Sequence, residues 1–148
     1  LRCLLSFSAN LKNRNKSLSG EIDLNTLVAN LSPSLAPDDY VFCTFEHARY
    51  GDFAEASPIA AVMEAEGLTL VVTQKYADAQ RFAYQGSFKC ITLNVHSSLA
   101  AVGLTAAVST KLAQHGISAN MVAGYFHDHI FVSVAEASRA LALLESPL

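Results

Sequence analysis

The alternation of hydrophobic and polar positions divides the second half of the chain into strands and helices. Residues 88–95 alternate apolar and polar side chains and are rich in β-branched and aromatic types, which is typical of a strand. Apolar residues then recur at spacings of three and four, which indicates a helix from Leu99 to Gln114 with a serine at its N-cap. Two more strands are predicted at residues 117–126 and 130–134, with a turn at 127–129 between them. A last helix is predicted at residues 135–144.

The first half of the chain repeats this order with one weak segment. Asp23 is a suitable N-cap for a short helix, and Pro33 and Pro37 delay the first strand to residues 40–45. Residues 46–58 have no helical period and are expected to form a loop. The remaining elements are a first helix at Leu24–Leu31, a hairpin of 60–66 and 68–72, and a helix at 74–83.

Two copies of the same arrangement therefore follow one another without a low-complexity linker. The pattern predicts the α+β class, with tandem ferredoxin-like units, antiparallel sheets and the helices on one face. The units are placed at residues 23–86 and 87–148. The last helix leaves no room for a closing strand in the second unit, so we expect the first unit or another chain to complete it.

Composition and charge limit the classes of partner. Apolar residues make up 51% of the chain, but no apolar run approaches the ~18–20 residues of a membrane helix, so no membrane partner is expected. After residue 20 there are six basic and thirteen acidic side chains, a balance of −7, which argues against nucleic-acid binding. The three cysteines, Cys3, Cys43 and Cys90, are an odd number, which does not suggest a disulfide framework. They are typical of buried thiols in a reducing compartment, so a cytoplasmic location is expected.

Residues 1–22 are treated separately. The first 20 are basic, rich in Asn and Ser, and begin with Leu. Their apolar part is too short for the core of a signal peptide, and no small-residue cleavage site follows it. We therefore expect a disordered or non-native extension, with ordered structure starting at Asp23.

The region from Val95 to Leu144 also resembles a known family, the ACT domain. The matching features are Val102-Gly103 before a helix, His115-Gly116-Ile117 at its end and Asn120 in the next strand. From about residue 24 the chain is similar to bacterial proteins of two ACT-like units, including their segments "YVFCT" and "EAEGLTLV". The resemblance implies an amino-acid-binding regulatory or sensor protein. It implies the ligand-binding residues Ser98, Val102, Gly103, Leu104, Tyr125, Phe126, His127 and Asp128, with Glu66 in a second, weaker site.

The residue types in the implied site could bind both charged groups of an amino acid. If the sheet forms as predicted, the loop after the strand at 88–95 lies near the hairpin at 124–129. Backbone amides of residues 98–100 would open a helix whose positive dipole end attracts a ligand carboxylate. Asp128 would pair with a ligand ammonium group. In the alternative interpretation, Gly103 only allows close packing and Asp128 only bonds its own turn.

The segment His127-Asp128-His129 supports a second hypothesis, a small metal-dependent enzyme. On a strand, residues 127 and 129 point to the same side, with Cα atoms ~6.5–7 Å apart. Two imidazoles so placed could share Zn²⁺ or Fe²⁺ if His96, Glu64 or Glu66 supplied a third ligand. A solvated hairpin whose histidines bond to backbone is the simpler interpretation.

No other motif suggests catalysis. The sequence has no glycine-rich phosphate loop, nucleophile elbow or CxxC pair, so no cofactor and no catalytic residue are assigned. The prediction is a non-enzymatic protein that binds a small molecule, expected to be an amino acid. A ligand-free oligomerisation scaffold is a third possibility. Since exposed sheet edges tend to be covered, we expect a homodimer.

Overall fold

The computed structural model describes residues 19–147. Within this range seven strands, four α-helices and two short 3-10 helices (Ala54–Ala56 and Val134–Glu136) follow one another in two successive groups. The strands are β1 Pro33–Phe45, β2 Tyr50–Phe53, β3 Ala60–Glu64, β4 Gly67–Thr73, β5 Phe88–Leu93, β6 Asn120–Ala123 and β7 Asp128–Ser133. The helices are α1 Leu24–Ala29, α2 Gln74–Gln80, α3 Leu104–Gln114 and α4 Ala137–Glu145. None of these helices is long and apolar enough to cross a membrane.

Six of the strands form one antiparallel sheet in the order β3-β4-β1-β5-β7-β6. The two groups meet at its centre, where β1 pairs with β5 in the register Tyr40↔Phe88. The second group is therefore completed by the first, which is one of the two arrangements expected from the sequence. This order places the hairpins β3–β4 and β6–β7 at opposite edges of the sheet, and because β1 and β5 run in opposite directions the turns of the two hairpins lie at opposite ends of the strands.

All four helices cover the same face of this sheet. Near β5 and β7 the core joins Ile91 and Ile130 to buried residues of α1, α3 and α4, such as Leu112. Near β1 and β4 it joins Val41 and its neighbours to Ala77 of α2. The register Tyr40↔Phe88 places Val41 and Ile91 on one side of the sheet, so both clusters belong to one layer. The predicted class, α+β with an antiparallel sheet and helices on one face, is confirmed.

The opposite side of the sheet, here called the helix-free face, carries an aromatic cluster. Its central side chains are Tyr40, Phe42, Val71, Phe88, Cys90 and Phe131. The rings of Phe42 and Phe131 meet edge to face with centroids 5.4 Å apart, and Phe42 meets Phe88 in the same way at 5.3 Å. Among residues 19–147 no helix packs on this face.

Several elements differ from those predicted: residues 46–58, expected to form a loop, contain β2, and the strand expected at 117–126 is limited to β6. β1 begins at Pro33 rather than residue 40, because the strand tolerates its prolines beside a register irregularity between Leu35 and Asp39. α3 begins at Leu104 rather than Leu99. The Ser98 hydroxyl accepts from the Ala100 amide and the Ser98 carbonyl from the Ala101 amide, so this serine closes a local turn instead of capping the helix.

The described cysteines behave as expected from the sequence. Cys43 and Cys90 are free and buried, and burial raises the pKa of both thiols, which keeps them protonated and unreactive. Cys3 lies outside the described residues, as do residues 1–18 of the predicted N-terminal extension.

Candidate functional site

The loop after β5 and the turn of the β6–β7 hairpin lie together at one end of the sheet. Leu93, the last residue of β5, is paired with Asp128, the first residue of β7. The Gly124 amide donates to the His127 carbonyl at 3.0 Å and closes the turn, which leaves Tyr125 and Phe126 exposed at its tip. The ring of Phe126 lies against that of His96 with centroids 5.0 Å apart. The proximity of loop and hairpin expected from the sequence is therefore present.

A buried polar pair connects these two segments. Ser97 in the loop and Asp128 in the hairpin retain only 8% and 9% of their exposure, and within residues 19–147 they are the buried polar side chains. The Ser97 hydroxyl donates a hydrogen bond to Asp128 Oδ2 over 3.3 Å. This is longer than the ~2.5–3.0 Å usual for a hydroxyl donor, and the donor carries no charge. The ion pairs of the described residues lie elsewhere, at Lys89–Asp39 and Arg139–Glu136. Among residues 19–147 Asp128 is thus a buried carboxylate without a lysine or arginine partner, and the ionisable side chain that interacts with it is the imidazole of His129.

Residues 20–22 form a third component that the sequence analysis missed. The Glu21 amide donates to the His96 carbonyl and the Ser98 amide donates to the Glu21 carbonyl, both at 2.9 Å. A Cβ on Gly20 would lie 2.5 Å from the carbonyl carbon of Ser97, so only glycine permits this close approach. The expectation that order starts at Asp23 is therefore wrong for these residues, although Asp23 does cap α1 through its 2.8 Å bond from the Thr26 amide.

The three segments enclose a cavity of about 220 Å³. It is smaller than the ~300–1,000 Å³ of sites for drug-sized ligands, so it suits a small metabolite. The cavity is lined by Gly20, His96, Ser97, Ser98, Leu99, Ala100 and Tyr125.

The predicted role of the amides at 98–100 needs correction. The Ser98 amide is bonded to Glu21 and the Ala100 amide to the Ser98 hydroxyl, so neither opens a helix or awaits a carboxylate. The positive end of α3 lies further along, at Leu104. Its N-cap is Gly103, with φ of 104° and no side-chain cap. The amides at the start of this 11-residue helix have no side-chain cap, so they favour an anion electrostatically. From the sequence, this preference is expected at residues 98–100.

Sequence profiles of one family cover both groups of elements. A profile described as ACT domain matches residues 19–89, and a second profile with the same description matches residues 86–146. The chain belongs to the ACT-domain family. No curated protein matches the chain significantly in sequence.

Solved structures with the same ACT-like fold include one similar sequence. A Vibrio cholerae protein of unknown function, described as a possible transport protein, is 49% identical over 82% of this chain and 93% of its own, with a TM-score of 0.75. An Agrobacterium tumefaciens protein shares the fold at 16% identity over 73% of this chain and 81% of its own, with a TM-score of 0.60. The ligand-free regulatory subunit of Thermus thermophilus aspartate kinase shares the fold at 8% identity over 80% of this chain and 98% of its own, with a TM-score of 0.58.

The residues implied by the ACT resemblance fall into three groups. Ser98 and Tyr125 line the cavity, whereas Phe126, His127 and Asp128 follow Tyr125 in the hairpin and are not among the lining residues; Asp128 is connected to the lining through the Ser97 hydroxyl. Val102 is 83% exposed beyond the cavity, and Leu104 is buried in the core, so Leu104 presents no side chain to a ligand there. A Cβ on Gly103 would lie 2.9 Å from Leu24 Cδ2 of α1, so this glycine serves helix packing.

Glu66 lies apart from the other implied residues. It occupies the turn between β3 and β4, at the opposite edge of the sheet from the β6–β7 hairpin. The adjoining Gly67 packs on the carbonyl of Phe45, at the end of β1 that points away from the cavity. Glu66 therefore cannot share the cavity with Asp128, and its assignment to a second site stays a prediction.

The histidines do not assemble the predicted metal-ligand set. His129 Nδ1 lies 3.0 Å from Thr92 Oγ1, His127 Nδ1 lies 3.4 Å from the Val95 carbonyl oxygen, and the His96 ring packs on Phe126. Glu64 and Glu66 lie at the far edge of the sheet. Within residues 19–147 no three His, Cys, Asp or Glu side chains are placed to hold one ion.

His129 makes the stability of this end of the sheet dependent on pH. Burial lowers the pKa of His129 below its ordinary 6.5, and His127 lowers it further, while Asp128 acts in the opposite direction. The unfolded chain therefore binds this proton more readily than the folded one. The contribution of neutral His129 to the free energy of unfolding is fully present above about pH 6.5, and it is lost as the pH falls towards the lower pKa that His129 has in the folded protein.

We therefore expect His129→Gln to reduce the loss of stability on acidification. The difference in free energy of unfolding between about pH 7.5 and about pH 5.5, measured with urea, should be smaller in the variant than in the unchanged protein. The same substitution at the exposed His47 is the control. An identical pH dependence in His129→Gln and the unchanged protein would show that His129 does not carry the effect.

Proposed function

We propose that this ACT-domain protein binds a small amino acid in the cavity between residues 20–22, the loop after β5 and the β6–β7 hairpin, and acts as a regulatory or sensor protein rather than as an enzyme. In this proposal residues 23–86 and 87–148 are its two ACT-like units. The observation that carries the proposal is the buried carboxylate of Asp128, whose near partner is the Ser97 hydroxyl at 3.3 Å.

The charge of Asp128 supports recognition of a ligand ammonium group. Buried carboxylates are normally paired with a cation, because an unpaired charge loses its hydration without compensation. The Ser97 hydroxyl supplies a weak neutral bond, and Ser97 lines the cavity. A ligand ammonium group entering beside Ser97 would supply the positive charge that this carboxylate lacks.

The other end of an amino acid would find a complementary charge at α3. The loop that carries Ser97 and Ser98 leads into this helix, whose first turn has no side-chain cap. Backbone amides at a helix start attract carboxylates through their unsatisfied donors and the helix dipole. The start of α3 is not among the residues that line the cavity, so a zwitterion would have to extend beyond this lining to find a partner for each of its charges.

The test is a thermal-shift screen of the twenty amino acids with matched analogues. A bound amino acid at about 100 times its Kd should raise the unfolding midpoint by about 5–10 °C. Analogues that lack only the amino group or only the carboxylate should produce much smaller shifts, since each leaves one protein charge without its partner. If no amino acid shifts the midpoint at millimolar concentration, the proposal fails.

Two further parts of the proposal concern assembly and location. We propose a homodimer, because the edge strands β3 and β6 of the sheet are left unpaired on one side by residues 19–147. We also propose a cytoplasmic location, supported by the free buried thiols of Cys43 and Cys90.

A further inference from the structure

The three segments that enclose the cavity carry much of the apolar surface that the chain leaves exposed. Residues 19–147 have ten exposed large hydrophobic side chains, and half of these lie in the three segments: Ile22, Leu99, Val102, Tyr125 and Phe126. Single exposed hydrophobic residues are normal on a protein surface, whereas a group of them around a cavity is typical of a binding site.

Three of these side chains lie where the cavity opens to solvent. Leu99 and Tyr125 line the cavity and are nevertheless 68% and 53% exposed, so they form part of its opening. Phe126, which is 52% exposed, packs on Tyr125 and on the lining residue His96 with ring centroids 5.0 Å apart in both contacts. Leu99, Tyr125 and Phe126 are here called the apolar rim.

The lining offers no charged partner to a ligand side chain. Among the described residues that line the cavity there is no lysine, arginine, aspartate or glutamate. The Ser97 hydroxyl already donates to Asp128, and the Ser98 hydroxyl already accepts from the Ala100 amide. A charged side chain at the opening would therefore lose hydration without compensation. An apolar side chain would be stabilised in proportion to the area that it removes from water.

We propose that the bound amino acid has a large apolar side chain, aliphatic or aromatic, which lies on the apolar rim while its ammonium group lies beside Ser97. This inference rests on the amino-acid binding proposed above and narrows it to one class of side chain. The cavity of about 220 Å³ is below the ~300–1,000 Å³ of sites that enclose larger ligands, so a long side chain would reach the opening and contact the rim.

An amino acid with a cationic side chain is the main competitor. Lysine and arginine interact favourably with the faces of tyrosine and phenylalanine rings. Leu99 provides no such attraction, however, and the lining has no carboxylate to pair with the cation. Arginine is therefore the competing ligand in the test.

Matched ligands test the inference on the unchanged protein by titration calorimetry. Leucine and asparagine have similar shapes, but the asparagine side chain ends in an amide that would lose hydration at the rim. We expect leucine to bind roughly tenfold or more tightly than asparagine. Phenylalanine should exceed arginine by a similar factor, since the guanidinium group would find no carboxylate in the lining.

A pair of alanine substitutions tests the location of the contact. Leu99→Ala removes part of the rim, so the preference for leucine over asparagine should fall about threefold or more. Val134→Ala is the control, because Val134 is also exposed but lies at the other end of β5, where its amide donates to the Ser87 carbonyl. It should leave the preference unchanged.

The possible results separate this inference from the proposed function. If no amino acid binds, both fail together. If asparagine binds as tightly as leucine, or arginine as tightly as phenylalanine, this inference is overturned and amino-acid binding stands. An unchanged preference in Leu99→Ala would also overturn it, and a weaker dimer of that variant in sedimentation velocity would then assign the apolar rim to a contact between two copies of the chain.

Discussion

Replacing Asp128 by asparagine is expected to weaken binding of the cognate amino acid at least tenfold. Asparagine preserves the shape of the side chain and its bond to the Ser97 hydroxyl but removes the negative charge that would face the ligand ammonium group. Because Asp128 is only 9% exposed, the lost pair is largely desolvated. Its removal should cost about 2–5 kcal/mol of binding free energy, measured by titration calorimetry with the amino acid that emerges from the thermal-shift screen.

Two further variants separate a ligand contact from a structural role. Asp52→Asn makes the same substitution at an exposed aspartate in β2, outside the six-stranded sheet, and should change the affinity by less than twofold, a typical surface effect. Ser97→Ala removes the hydroxyl partner of Asp128 and keeps its charge. If Asp128 only held the loop in place through this bond, Ser97→Ala, which removes the bond, would weaken binding more than Asp128→Asn, which keeps it. If Asp128 binds the ammonium group, Asp128→Asn should have the larger effect.

An unchanged dissociation constant in Asp128→Asn would remove Asp128 from the binding site. The orientation of the ligand argued above would then be wrong, since no other buried carboxylate lies among residues 19–147. Binding of the amino acid itself would still be established by the screen, so the two results are independent.

The sequence predicts the central strands and helices because their patterns repeat within a short window. In α3, Leu104, Val108 and Leu112 recur at a spacing of four and are all buried. The strand at 88–95 is present as β5, and the turn of the β6–β7 hairpin brings Asp128 to the end of that strand, as the topology required. These features depend on residues close in the chain, so local periodicity is sufficient to find them.

The part of the candidate site that the sequence did not predict depends on contacts between distant residues. Ser98 is equally suited to capping a helix or to closing a turn, and the Glu21 carbonyl, far away in sequence, takes its amide. Nothing in the local pattern of residues 20–22 indicates a strand-like segment beside the loop. The burial of Ser97 with Asp128 likewise follows from the packing of the loop on the hairpin, and neither residue alone signals it.

The corrected start of α3 leads to the second large expected effect. Leu112 is fully buried among residues of α1, α4, β5 and β7, whereas Leu99, which the sequence pattern places in the same helix, is 68% exposed in the loop before it. Leu112→Ala should lower the free energy of unfolding by about 2–5 kcal/mol, since it removes buried methyl groups and leaves a cavity that its neighbours fill only partly.

Leu99→Ala is the matched control and should change stability by less than about 0.5 kcal/mol, because its side chain packs on little and its removal opens no cavity. Urea unfolding followed by circular dichroism measures both variants, and equal slopes of the transitions would justify comparing their midpoints. If Leu99 instead began an amphipathic helix that packs on the sheet, both substitutions would cost several kcal/mol. A large loss in Leu99→Ala would therefore restore the longer helix and remove Leu99 from the wall of the cavity, along with the shape of the site on which the amino-acid proposal depends.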